Sequence, residues 1–198
     1  MIQSGKFDSF KMNIKKLANT VLNFTINRLI EIIGIFISII GVLFFLGLIS
    51  HSPTDPNFIF PENSEIKNLL GFQGSYTSDL FFQSIGLIAY LIPFTYIFTG
   101  INIFKNKEIL IFLENTFFII LYSLIGSLFF SFYYSNSFSL YINGNGGFVG
   151  NFLNKIFYNK IFITYENIFY YILIFIILIL FLLSINFKIK SFISIVNK

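Results

Sequence analysis

The chain has 198 residues, of which 56% are hydrophobic, 21% aromatic and 11% charged, with a formal net charge of +4. Soluble domains average roughly 25% charged residues, so this composition excludes a water-soluble fold, which needs a charged shell, and suits a bilayer, which does not. With no cysteine and one histidine, His51, the chain can form no disulfide, thiolate zinc site, thiol nucleophile or His-pair metal site.

Residues 1–30 form a basic leader. Ile14, Leu17, Ala18, Val21 and Leu22 recur at helical spacing, and Lys15, Lys16, Asn19 and Asn23 take the other side. This pattern predicts an amphipathic helix lying in the cytoplasmic interface. A disordered basic leader is the alternative.

Residues 31–186 carry four apolar stretches long enough for a hydrocarbon core of about 30 Å, which takes about 20 helical residues. They run from about Ile32 to Ser50, Leu80 to Phe104, Ile109 to Tyr134 and Ile168 to Ile185. The first is not a cleaved signal peptide. Thirty-one residues precede it, and Phe44, Phe45 and Leu46 stand where small residues would be needed. Residues 187–198 are then a cytoplasmic tail or the start of a linker.

Positive side chains resist translocation. Ten of the thirteen basic residues lie in the leader (Lys6, Lys11, Lys15, Lys16, Arg28), the turn between spans two and three (Lys105, Lys107) and the tail (Lys188, Lys190, Lys198). The other side holds Lys67, Lys155 and Lys160, with Asp55, Glu62, Glu65 and Asp79. Both termini are therefore expected in the cytoplasm, with two long loops outside. The expected fold is an all-α integral membrane protein of four transmembrane helices behind an interfacial amphipathic helix.

Within the spans, small residues mark close helix approach. Gly34, Ser38 and Gly41 in span one and Ser123, Gly126, Ser127 and Ser131 in span three predict that these two spans form the inner contact. Span four, with Ser184 as its small residue, should face lipid over much of its surface. Pro93 removes a bond to the Ala89 carbonyl and predicts a kink in span two. Glu31 and Glu114 fall in the first turns of spans entering from the cytoplasm, an interfacial position, and Asp79 begins span two from outside with Ser78 and Thr77 as caps. Gln83 and Asn115 are the other strongly polar groups near span ends. No charged residue falls mid-bilayer, which argues against an ion path.

Enzyme signatures are missing: no G-x-x-x-x-G-K-[ST] loop, no G-x-S-x-G elbow and no H-E-x-x-H. The run Gly144, Asn145, Gly146, Gly147, Gly150 has no strand before it and no Lys after it. It reads as a flexible turn opening a short amphipathic segment, Phe152, Leu153, Ile156 and Phe157, in the outer interface. No cofactor is expected.

Three ordered motifs lie in and after the first external loop: Ser50-His51-Ser52-Pro53-Thr54-Asp55-Pro56-Asn57, Asn68-Leu69-Leu70-Gly71-Phe72-Gln73-Gly74-Ser75-Tyr76-Thr77-Ser78-Asp79, and Gly86-Leu87-Ile88-Ala89-Tyr90-Leu91-Ile92-Pro93. Together they resemble the N-terminal four-helix membrane domain of the FtsK/SpoIIIE DNA translocases. That pattern runs S-x-x-D-P, N-x-x-G-x-x-G-x-x-x-A-D, then F-G-x-x-A-Y-x-x-P. Ser78 stands for its Ala and Ile85 for its aromatic residue, and Gly146-Gly147-x-x-Gly150 is similar to its G-G-x-x-G. The resemblance covers about Ile32 to Ile185. It marks Asp55, Pro56, Asn68, Gly71, Gly74, Asp79, Gly86, Pro93, Gly146, Gly147 and Gly150 as structural or interaction residues.

The resemblance implies a multi-pass anchor in the bacterial inner membrane at the division septum, tethering a DNA motor that these residues do not contain. It also implies divisome membrane proteins as partners beside the lipid bilayer, with self-association open and DNA reached only through the motor. The chain is then the first piece of a longer or split translocase, or a stand-alone anchor. A small transporter or channel subunit is the alternative, and a membrane-integral enzyme is disfavoured by the scattered acids and single histidine.

Overall fold

The computed structural model describes residues 2–56, 65–135, 143–157 and 165–187, with side chains from Lys16 onward. Among them the secondary structure is entirely helical: α1 (Ile2–Ile49), α2 (Gly71–Ile85), a 3-10 segment (Gly86–Tyr90), α3 (Leu91–Asn106), α4 (Leu110–Tyr133), α5 (Gly147–Phe157) and α6 (Glu166–Ser184). Four helical stretches are long and apolar enough to cross a membrane, Lys16–Ile49, Gly71–Asn106, Leu110–Tyr133 and Glu166–Ser184.

The amphipathic leader is helical but not separate, because α1 continues without a break from Ile2 into the span. Leu17, Val21, Leu22 and Phe24 are exposed along it. At the boundary of leader and span, Glu31 pairs with Arg28 one turn away and with Lys107 Nζ at 3.1 Å. Lys107 ends α3 in the left-handed region, at φ 61°, its N–H bonding Ile103 O at 2.8 Å. That cap turns the chain into α4 within a few residues. Glu31 is thus nearly buried within an ion-pair cluster, whereas Glu114 is exposed.

Pairing of the spans differs from the expectation that spans one and three meet. The small face of α1 packs on α3: Gly34 lies against the Gly100 carbonyl and Phe104 N, Gly41 against Pro93 O and Ile97 N, and Ser38 Oγ donates to Ile97 O at 3.1 Å. The sequence gives each small face but not its partner, and Gly100 completes this one from span two. α4 pairs instead with α6, through Tyr122 on Phe181 and Phe129 on Tyr170. α3 joins the two pairs, since Thr95 reaches both Tyr122 OH (3.1 Å) and Ser184 Oγ (2.9 Å). In α6 Leu173 and Ser184 are buried and Ile177, Leu180 and Phe181 pack half-buried on the core, while Ile172, Phe175, Leu178, Ile179 and Leu183 are exposed, as expected of a span that faces lipid over much of its surface.

Span two differs as well. Its expected start at Leu80 falls inside α2, and α2 is not the outer half of a straight crossing helix. Gly47 of α1 faces Leu70 and Gly74, while the next residue's carbonyl, on Leu48, accepts a bond from Tyr90 OH at 3.5 Å. A 15-residue helix is about 22 Å long. Were α2 aligned with the bundle, Gly74 and Tyr90 could not both meet adjacent residues of α1. α2 therefore crosses the outer end of the bundle from α1 to α4, where Ser127 Oγ donates to Ile85 O at 2.8 Å. The helix is broken at Gly86 and not at Pro93. Pro93 sits in the first turn of α3, directly after the 3-10 segment, where its missing N–H costs little. Asp79, Ser78 and Thr77 consequently lie within α2 and cap nothing. Ser78 Oγ donates to Ser75 O (3.0 Å) and Thr77 Oγ1 to Gln73 O (2.7 Å).

Two contiguous apolar clusters hold the centre: Ile88, Ile92, Ile119 and Tyr122, and beside them Leu48, Phe82 and Ala89.

Candidate interaction site at the outer cap

Residues flagged by the sequence gather in two clusters at the outer end, one at each end of α2. The first closes the loop after α1. Pro53 and Thr54 form a turn closed by Asp55 N–H on Ser52 O at 3.2 Å, which brings Asp55 back over α1, where it is fully buried. Its two carboxylate oxygens accept the backbone N–H groups of Lys67 (2.9 Å) and Asn68 (2.8 Å). Asn68 Nδ2 donates to Gly47 O at 2.8 Å, and its Oδ1 accepts Leu70 N–H at 3.0 Å, an Asx turn that starts α2. Gly74 lies flat on the Asn68 carboxamide, where any Cβ would collide. Ser75 Oγ donates to Pro56 O at 2.9 Å, so the buried Pro56 ties the loop to α2.

Between the clusters, on the buried face of α2, are Ser75, Ser78, Asp79 and Phe82. His51 Nδ1 shares a hydrogen bond with Ser78 Oγ at 2.8 Å, and its ring meets the edge of Phe82. Burial pushes the His51 pKa below its ordinary 6.5, and the carboxylates of Asp79 and Asp55 pull partly in the other direction.

The second cluster joins the turn after α2 to the turn before α5. Gly86 has φ 73° and Gly147 φ 65°; Gly86 packs on the backbone of Asn145 and Gly146, and Gly147 on that of Gly86 and Ile85. Leu87 N–H bonds Asn145 O at 2.9 Å, and a Cβ on Gly86 would fall on that same carbonyl. Gly146 and Gly150 lie on the backbone of α4 at Ser127 and on Ser131, and Ser131 Oγ donates to Asn151 Oδ1 at 2.8 Å. The glycine run expected to be a flexible turn is therefore a packed one, with Asn145 nearly inaccessible and its Nδ2 donating to Tyr134 O. α5 is amphipathic as expected, with Phe148, Phe152, Ile156 and Phe157 exposed. The serine stripe of span three thus receives this turn and α5, not span one.

Of the flagged residues, Asp55, Pro56, Asn68 and Gly74 belong to the first cluster, with Gly71 at its edge, and Asp79 lies between the two. Gly86, Gly146, Gly147 and Gly150 form the second, and Pro93 lies apart, against Gly41. Sequence reasoning missed His51, Ser127 and Asn145 as cluster members. It also missed a polar seam within the bundle: Asn115 Nδ2 donates to Thr99 Oγ1 (2.7 Å) and Asn102 Nδ2 to Ile185 O (3.1 Å).

Among the described residues no three His, Cys, Asp or Glu side chains gather as metal ligands. A groove of about 410 Å³ between α1, α3 and α4 is walled by Ile33, Ile37, Ile40, Tyr96, Ile109 and Phe112. Another of about 360 Å³ between α4 and α6 is equally apolar. Such walls offer acyl chains a surface and an ion none.

The chain matches, over residues 27–196, the family described as the 4TM region of DNA translocase FtsK/SpoIIIE. Relatives called DNA translocase FtsK share its sequence in part: that of Rickettsia bellii is 34% identical over 74 residues, 37% of this chain and 10% of the relative. That of Rickettsia typhi is 34% identical over 89 residues, 45% of this chain and 12% of the relative. That of Rickettsia prowazekii is 29% identical over 107 residues, 52% of this chain and 14% of the relative. The chain thus aligns with a small part of the length of these translocases, and no solved structure matches it. With its match spanning all four crossing helices and both outer clusters, the chain belongs to the family of 4TM membrane regions of FtsK/SpoIIIE DNA translocases.

Proposed function

We propose that this chain is the membrane anchor of a DNA translocase acting in bacterial cell division and chromosome segregation, and that it tethers a motor to the inner membrane at the septum. The observation that carries this reading is the family match along residues 27–196. It is supported by relatives whose names are those of DNA translocases and whose alignment with this chain is confined to a minor part of their length. The chain itself hydrolyses no ATP and pumps no DNA, a reading that rests on the missing phosphate loop and on a bundle whose grooves are apolar.

With four crossings the two ends share one side, and the bias of basic residues puts that side in the cytoplasm. The helical leader then lies where Lys16 and Arg28 meet anionic headgroups, each worth about 1 kcal/mol near the surface. The outer cap faces the periplasmic side, where its ordered loops offer divisome membrane proteins a surface, and copies of the chain one another. A fluorescent fusion in dividing bacteria tests the reading: enrichment at midcell is expected, and a uniform membrane signal would remove the septal role.

A further inference from the structure

The two ends of α6 are held differently. At the outer end two bonds reach the end of α4 alone: Tyr133 OH donates to Glu166 O at 2.9 Å in an exposed contact, and Tyr134 OH meets Tyr170 OH at 2.8 Å in a half-buried one. From Ile172 to Leu183 the helix carries only Ile, Leu and Phe. At the inner end three successive residues are bonded to other helices. Ser184 Oγ meets Thr95 Oγ1 at 2.9 Å, Ile185 O accepts from Asn102 Nδ2 at 3.1 Å, and Asn186 Nδ2 donates to Asn115 Oδ1 at 2.9 Å. Asn115 is itself buried and donates to Thr99. Asn186 turns out of the helix at φ 52°.

We propose that Asn102, Asn115 and Asn186 are positioning residues of a clamp that passes tension arriving from the C-terminal side onto α3 and α4, so that α6 is not drawn out of the bilayer. This rests on the anchor reading above, since only a tether is pulled. A helix whose faces are Ile, Leu and Phe slides along its own axis against lipid with little to catch it. Hydrogen bonds to neighbouring helices cross that axis, are loaded side by side and must break together. On the bundle side Ser184 and Asn115 are buried, so a bond broken there leaves a polar group with no water to replace the lost partner. The bonds also stand where a pull on the chain enters the bundle, not spread along the helix.

The test is single-molecule pulling of the full chain in bicelles, with the handle at the C-terminus or at the N-terminus. Asn186→Gly keeps the left-handed backbone and deletes only the bond to Asn115, and Asn102→Leu deletes the bond to Ile185 O. Intramembrane hydrogen bonds average about 0.6 kcal/mol, so each variant should extract α6 about threefold faster at fixed force from the C-terminus, and the double variant about tenfold faster. Pulled from the N-terminus, all should unfold at the rate of the unsubstituted chain. Equal acceleration from both ends would reduce the residues to ordinary stability, and no acceleration from the C-terminus would overturn the clamp. Should Asn186→Gly fail to insert, Asn102→Leu carries the comparison alone. Midcell imaging is independent, so loss of the anchor reading and loss of the clamp are told apart.

Discussion

Gly86→Ala is the sharpest perturbation of the second outer cluster. Gly86 has φ 73° and ψ −149°, a region closed to residues with a side chain and costing about 1–3 kcal/mol. Its new methyl group would fall on the Asn145 backbone carbonyl, and because that obstacle is main chain, no rotamer change relieves it. Overpacking of this kind costs about 1–3 kcal/mol. Displacing the carbonyl also sacrifices the bond from Leu87 N–H, about 1 kcal/mol. The total, about 3–7 kcal/mol, is a large share of a typical stability of about 5–15 kcal/mol. Gly71→Ala is the internal control. Gly71 also has positive φ, 64°, but no atom lies near its Cβ position, so the left-handed strain of about 1–2 kcal/mol stands alone. Equilibrium unfolding in mixed micelles, followed by helical signal, should place Gly86→Ala at least about 1 kcal/mol below Gly71→Ala. Gly147→Ala pushes on the same contact and should be less than additive with Gly86→Ala. Equal losses at Gly71 and Gly86 would refute the packed crossing of the two turns.

Three further outcomes are expected. Asp55→Ala strands the buried N–H of Asn68 and the half-buried N–H of Lys67 and should destabilise the first cluster by about 2–4 kcal/mol, whereas Asp55→Asn, which keeps one acceptor oxygen, should lose about half of that; limited proteolysis of the outer loop measures it, and equal susceptibility of both variants would contradict the double acceptor role. Because burial holds the His51 pKa in the folded chain below the unfolded value, its contribution to stability is intact above about 6.5 and is lost as pH falls through the lowered folded pKa; the single imidazole can be titrated by NMR, Asp79→Asn should lower its midpoint further, and a midpoint above 6.5 would contradict the burial argument. Single cysteines introduced into this cysteine-free chain should label from outside at Asn143 and from the cytoplasm at Asn106, the reverse pattern being fatal to the orientation.

Much of the bundle is legible in the sequence because lipid imposes one rule, a run of apolar residues about 20 long. α4 and α6 follow that rule and lie close to where the apolar runs fall. The region from Asn68 to Tyr90 does not, because three requirements compete there. Phe81, Phe82 and Leu80 extend the apolar run and suggest a span beginning at Leu80, while Gly86, a helix terminator only in context, turns the chain into the bilayer. Pro93 looked the stronger breaker, yet a proline in the first turn of a helix breaks nothing. Small-residue stripes were legible as surfaces and illegible as pairs: Gly34, Ser38 and Gly41 announce a close neighbour, but only the fold shows that Gly100 supplies it. Asn145 was hidden for a related reason, since an Asn among glycines is read as turn chemistry and only burial reveals it as a tie to Tyr134 and Leu87.

The same comparison explains why the motifs are made of Gly, Ser, Asp and Asn and not of apolar residues. At the outer end the chain must leave helix, turn twice and re-enter the bilayer, which leaves backbone groups unmade close to hydrocarbon. Four polar side chains answer such groups. Asp55 takes the N–H groups of Lys67 and Asn68, Asn68 takes that of Leu70 and supplies Gly47 O, Ser75 supplies Pro56 O, and Ser127 supplies Ile85 O. The glycines then bring the backbones close enough for those short side chains to reach. A substitution that keeps polarity but lengthens the reach, such as Asp55→Glu or Asn68→Gln, should therefore disturb the cap, because the unmade groups are fixed in place by the helices that end there.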